Sequence, residues 1–242
     1  MAELRFSYGV MSAGKSTLAL QVEHTWTEAG RVGVLLTSND RGGAGRVTSR
    51  LGLDRAALEV GPDTDLDAVL RSAVPDGGFV VADEVQFYVP EQVDALARCV
   101  DDRDVDVACF GLLSDFRTRL FPGSRRLVEL ADVLVPLPLP VTCWCGRPAR
   151  VNARLVDGEV VHEGEQVVLG DTAPLGPEAL DQGVFGPEVH YQTLCRRHWV
   201  TRRTSRAQPR DGAPARAVGR LSLLPPPTPG PDRAGGTAVG AS

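Results

Sequence analysis

Near the amino end, Gly9-Val10-Met11-Ser12-Ala13-Gly14-Lys15-Ser16-Thr17 fits the P-loop pattern, two glycines separated by four residues and followed by Lys-Ser. In such a loop successive backbone N–H groups turn inward on phosphates, the lysine neutralises the β/γ oxygens, and the hydroxyl completes the shell of Mg²⁺. The implied ligand is a nucleoside triphosphate. Lys15 is also the only lysine in the chain, every other cation being an arginine. Codon bias toward arginine explains the missing lysines, but the survivor sits where a compact ammonium and a guanidinium fork are not interchangeable.

A second constellation is Phe79-Val80-Val81-Ala82-Asp83-Glu84, a short apolar run ending in two carboxylates. Such a run suits an interior strand of a parallel sheet, and ligands gather where those strands end at their carboxyl edge. Asp83 is then placed to organise Mg²⁺ through its water shell, together with Ser16. Glu84 lies just beyond the sheet, free to accept a proton. The plainer reading is a set of acids ahead of the helix that Pro90 begins. Further on, Cys143-Trp144-Cys145 and Cys195-Arg196-Arg197-His198 supply two ligand pairs, enough for a four-coordinate structural Zn²⁺. The first pair has one residue between its cysteines, fewer than the usual knuckle, which leaves isolated reduced thiols as the alternative. Cys99 and Cys109 read as core thiols.

The elements that must position these groups follow from periodicity. Leu4 to Tyr8 alternates like a half-buried strand, Ser16 to Glu28 places Leu18, Val22 and Trp26 at helical spacing, and Arg31 to Leu36 reads as a buried strand. Thr37 to Arg50 has no apolar period and reads as a mobile loop whose Asp40, Arg41, Arg46 and Arg50 could close over phosphates. Helices are expected over Leu66 to Ala73, Pro90 to about Val100 and Ser124 to Ala131, with strands over Val105 to Phe110 and Val133 to Val135. Alternating strands and helices give an α/β fold with a mostly parallel sheet flanked by helices. Pro136-Leu137-Pro138-Leu139-Pro140 ends that rhythm. Beyond it, Val151 to Leu155 and Val160 to Leu169 read as strands of a small β module that a metal would staple. The expected organisation is an α/β domain over 1–138, the metal-bound module over 139–200, and a disordered Arg, Pro and Gly rich tail over 201–242.

The 242 residues, 43% of them hydrophobic, suffice for a sizeable core. No apolar run approaches ~20 residues, and Met1 leads straight into a strand, so neither a membrane span nor a signal peptide is expected. A cytoplasmic location follows, with cysteines kept reduced. The tail carries seven Arg and two Asp against a net charge of −5, leaving an acidic body that argues against long nucleic acid as partner.

With the P-loop, Asp83-Glu84-Val85-Gln86-Phe87, the segment Gly111 to Phe116 and the paired cysteines in order, residues 1 to about 200 resemble the zinc-containing thymidine kinases, the family of the human cytosolic enzyme and many bacterial ones. The resemblance implies transfer of the ATP γ-phosphate to the 5′-hydroxyl of thymidine or deoxyuridine by a homotetramer, with Mg²⁺ in the site and zinc holding a lasso loop over the nucleobase. Carried over, it makes Gly9, Val10, Met11, Ser12, Ala13, Gly14, Lys15, Ser16 and Thr17 the phosphate cradle. Asp83 becomes the magnesium organiser, Arg41 a phosphate-side arginine, and Glu84 the general base. Phe87, Leu112, Phe116, Asn152, Val168, Gly170 and Tyr191 match positions around the pyrimidine, and Cys143, Cys145, Cys195 and His198 match the zinc ligands. This chain departs from the family pattern at Ser12, where an aromatic is lost, at Asn39 and Leu113, where acids are lost, and at Asn152, where threonine is common. It also carries an insertion over Thr172 to Val189. The rival readings are a P-loop ATPase or switch whose module docks a partner, and a catalytically impaired nucleotide-binding interaction protein.

Overall fold

The computed structural model describes residues 1–38, 45–138, 140–166 and 189–205. Residues Met1–Gln208 form one compact unit, and Pro209–Ser242, a second unit, lies outside the described residues.

The chain opens with strand β1 (Leu4–Tyr8), helix α1 (Lys15–Glu28) and strand β2 (Gly33–Thr37). Next come the short strands β3 (Arg46–Thr48), β4 (Asp54–Ala56) and β5 (Leu58–Glu59), then helix α2 (Leu66–Ala73) and strand β6 (Phe79–Ala82). Helix α3 (Pro90–Arg103), strand β7 (Asp106–Gly111), helix α4 (Pro122–Leu130) and strand β8 (Val133–Pro136) complete the α/β part. Six of these strands form one sheet in the order β5-β2-β6-β7-β1-β8. Every pairing in it is parallel.

Side chains alternate across that sheet as strand geometry requires. Val80 and Ala82 of β6 join Leu4, Phe6 and Leu36 in a core covered by Leu66 and Leu70 of α2, Val93 and Leu96 of α3, and Leu127 of α4. Phe79 and Val81 point the other way, packing with Leu35, Ala108 and Phe110 beneath Ala19 and Leu20 of α1. The result is three layers, with β6 and β7 buried on both faces and the carboxyl ends of β1, β6 and β7 delivering the P-loop, the two acids and the Gly111 turn to one edge.

The segment read as a loop over Thr37 to Arg50 is partly ordered: β3 pairs antiparallel with β4, and Arg46 ion-pairs with Asp54 across the hairpin. Charged cross-strand pairs on an exposed hairpin leave no apolar period to detect, which is why the pattern concealed it. Arg46 is therefore engaged within the hairpin, whereas Asp40 and Arg41 lie outside the described residues.

The β module is built on strand β9 (Val151–Val156), flanked antiparallel by β10 (Glu159–Val161) and β11 (Val189–Leu194). The strand expected over Val160 to Leu169 ends at Val161, and 167–169 lie outside the described residues. Helix α5 (Arg196–Val200) follows. Ordered contacts continue past the expected boundary at 201: Thr204 is buried, and Ser205 exchanges hydrogen bonds with Gln192.

Candidate active site and metal centre

The P-loop is a turn that leaves helix α1 uncapped. Gly14, at its N-cap, is left-handed with φ 82°, a conformation that costs glycine nothing, and no side chain caps the helix. The first turn carries no acid either. Ser12 is also left-handed, φ 65°, so the loop is bent to present amides toward an anion beside an unsatisfied helix N-terminus. Lys15 is only 8% exposed, and its Nζ lies 3.4 Å from the Val10 carbonyl oxygen, folded back over the loop.

Opposite it, Asp83 follows directly on β6 and is 1% exposed. Burial, reinforced by the neighbouring Glu84 charge and opposed by the Ser16 hydroxyl and Lys15, pushes its pKa up to about 7. Its Oδ1 is buried with no hydrogen-bond partner among the described residues. A buried carboxylate with an orphan oxygen beside a P-loop serine is a donor set that fits a hydrated divalent cation, which would supply the missing countercharge.

Glu84 is half-buried and left-handed, φ 55°, at the head of a one-turn 3₁₀ helix, Val85–Phe87. It lines a cavity of about 650 Å³ together with the P-loop from Met11 to Thr17. The same cavity is walled by Phe87, Leu112, Phe116, Asn152 and Tyr191. Phe87 packs edge-on against Phe121, their centroids 5.9 Å apart. Asn152 spends its side-chain oxygen on the P-loop, accepting the Met11 N–H at 2.7 Å. Arg50, on the β3–β4 turn, reaches the loop from the other side by donating to Ser12 Oγ at 2.7 Å. Val168, Gly170 and Arg41 lie outside the described residues.

Three residues at or beside the cavity escaped the sequence reading. Arg154 is 3% exposed in the middle of β9, with its guanidinium 3.9 Å over the Phe116 ring. It donates to Tyr191 Oη at 2.8 Å and to the Glu165 and Gln166 carbonyls at 2.7 and 3.0 Å. Asp115 organises its own loop by accepting from the Arg117 and Arg119 amides, both at 2.9 Å, and it accepts from Gln166 Nε2 at 3.2 Å. Gln86 joins Glu84 to the Leu112 amide. The available signal for Arg154 was a lone charge inside a Val-rich strand, and for Gln86 a polar residue inside an apolar turn; both also read as ordinary surface residues.

At the far side of the β module, Cys143, Cys145, Cys195 and His198 bring one ligand atom each within 4.8 Å of one another. Cys145 Sγ and Cys195 Sγ are 3.9 Å apart, and Cys143 Sγ is 3.3 Å from His198 Nδ1. Tetrahedral ligands at zinc bond lengths stand about 3.5–3.8 Å from one another, so the cluster fits Zn²⁺ despite the short Cys-x-Cys spacing. Burial and then the charges of Arg197, Arg203 and Arg147 hold the His198 pKa down, favouring the neutral ligating imidazole. Four protein ligands leave no open position, which marks a structural centre.

Comparison with known proteins agrees with this geometry. The sequence profile of the thymidine kinase family matches residues 2–199. A thymidine kinase of Cutibacterium acnes is 51% identical over 201 residues, covering 82% of this chain and 88% of that protein. One of Streptomyces avermitilis is 50% identical over 208 residues, covering 85% and 92%. One of Ruegeria pomeroyi is 40% identical over 204 residues, covering 82% and 94%.

Proposed function

The chain belongs to the thymidine kinase family, and we propose that it is an ATP-dependent thymidine kinase whose phosphoryl transfer runs between the P-loop and Glu84 across the shared cavity. The observation that carries this reading is that one cavity is lined at once by Lys15, by Glu84 and by the apolar wall of Leu112 and Phe116.

In this reading the amides from Gly9 to Thr17 and the Lys15 ammonium hold the ATP phosphates. The family resemblance assigns Arg41 as a further cation for those phosphates. Asp83 and Ser16 would hold Mg²⁺, which would supply charge neutralisation to the phosphates when bound. Phe87, Leu112, Phe116, Asn152 and Tyr191 enclose the pyrimidine and present the 5′-hydroxyl to Glu84, and the family resemblance adds Val168 and Gly170 to that set. Glu84 takes the hydroxyl proton as that oxygen attacks the γ-phosphorus and the bond to the β-phosphate oxygen breaks, leaving ADP. Because the transition state is loose, alignment and charge neutralisation dominate and the base is a smaller contribution.

The finer organisation follows the same reading: a kinase domain over 1–138, a zinc and lasso domain over 139–200, and a tail beyond. Three reduced thiolates at the zinc centre suit a cytoplasmic location. A homotetramer is the proposed assembly, supported by exposed Leu134 on the outermost strand β8 and Val128 on α4, with the sedimentation mass as its check.

The test is ADP release from ATP and Mg²⁺ across a panel of nucleosides. Release should depend on thymidine, and Glu84→Gln should lower kcat on the order of 10²-fold or more. Equal turnover with and without nucleoside would instead mark an ATPase.

A further inference from the structure

Gln86 has both ends of its carboxamide engaged and is 1% exposed. Its Nε2 donates to Glu84 Oε2, and its Oε1 accepts the Leu112 N–H at 2.9 Å. The network dictates which way the amide faces. A backbone N–H can only donate and an ionised carboxylate can only accept, so the oxygen must meet Leu112 and the nitrogen must meet Glu84. The approach also requires Gly111: a Cβ there would lie 2.8 Å from Gln86 Oε1 and 2.9 Å from Val85 Cγ2.

We propose that Gln86 is a positioning residue for the transfer, fixing the Glu84 carboxylate relative to the Leu112 wall against which the pyrimidine rests. This rests on Glu84 being the base. With Oε2 held by the amide, the other carboxylate oxygen is left to face the nucleoside hydroxyl, and the rotamer is fixed before substrate arrives. A general base must sit within hydrogen-bond reach of its proton, and a misplacement of about 1 Å costs on the order of 10²-fold. One side chain thus sets the separation between the two groups that the nucleoside must touch simultaneously.

The test is a double-mutant cycle in thymidine-dependent steady-state kinetics. Gln86→Met keeps the volume but offers neither donor nor acceptor. It should lower kcat roughly 30-fold or more while the thymidine and ATP KM stay within about threefold. In the Glu84→Gln background the same change should cost less than about threefold, because a residue acting through the base has nothing left to act on. Gln86→Asn keeps a neutral carboxamide but is one methylene too short to span Glu84 and the Leu112 amide; it should lower kcat as far as Gln86→Met, and it decides the matter if Gln86→Met does not fold. Full kcat in either single variant, or equal losses in both backgrounds, overturns the proposal. Full kcat in Glu84→Gln removes the base reading and the role of Gln86 with it, whereas loss there beside full kcat in Gln86→Met removes the positioning role alone.

Discussion

Lys15 is held by geometry that a larger cation does not share. Its ammonium is nearly buried and turned over the P-loop, close to the Val10 carbonyl, in a cradle whose walls are backbone. A guanidinium is planar and wider, and its five donors point in fixed directions. Lys15→Arg should therefore keep the charge and the fold but lose roughly 10²-fold or more in kcat/KM for ATP, measured at saturating thymidine. A loss under about threefold would mean that charge alone suffices. At this scale the sequence was informative where the chemistry is local: the loop, Asp83, Glu84 and the four metal ligands stand within short motifs. It was silent on Gln86, Asp115 and Arg154, whose meaning comes from partners such as Leu112, 26 residues away, and Glu165, reached from another strand turn.

Among the elements, β9 does the most to join the two halves of the site, and Arg154 is the reason. Beside the polar Asn152, this strand carries a buried guanidinium that binds the Glu165 and Gln166 carbonyls, the Tyr191 hydroxyl on β11 and the face of Phe116. Those bonds come from a charged donor that is itself buried, and hydrogen bonds to a charged group contribute about 1.5–3 kcal/mol each. Arg154→Met should destabilise the protein by about 2–4 kcal/mol in urea unfolding and raise the thymidine KM by roughly tenfold or more, leaving the ATP KM within about threefold. Parallel rises in both KM values would show that the strand supports the whole cavity instead of its pyrimidine end. Five of the six strands of the parallel sheet were legible, β2, β6, β7 and β8 as apolar runs and β1 by its alternation, whereas the two-residue, exposed β5 wrote no such signal. The β3–β4 hairpin and β11 were not legible either: Arg46 and Asp54 stabilise the first by charge, and the second depends on a ladder to β9 formed from a distant segment.

For the molecule as a whole, the asymmetry between its parts predicts how it fails. The α/β part encloses two extensive hydrophobic clusters on either face of its sheet. Among the described residues the β module packs Ala153, Leu155, Val160 and Leu194 around two of its own cysteines, with Trp144 and Trp199 partly buried against them, a small apolar core on which to order it alone. A structural zinc contributes on the order of 10 kcal/mol to such a module, so the metal and not the core should set its stability. The module also reaches the cavity: Trp199, one residue past ligand His198, donates to the Phe116 carbonyl at 3.0 Å, and Asn152 holds the Met11 amide. The purified chain should carry about one zinc per protomer by elemental analysis. Stripping it with a chelator should lower the melting temperature and raise the thymidine KM well before ATP binding, measured by calorimetry, is lost. Cys145→Ser is the cleaner variant, because that side chain is exposed and its removal opens no cavity. A zinc-free Cys145→Ser protein that keeps the melting temperature and the thymidine KM of the parent would separate the metal from the site, and would leave contacts such as Asn152 to Met11 and Trp199 to Phe116 as what holds the module against the cavity.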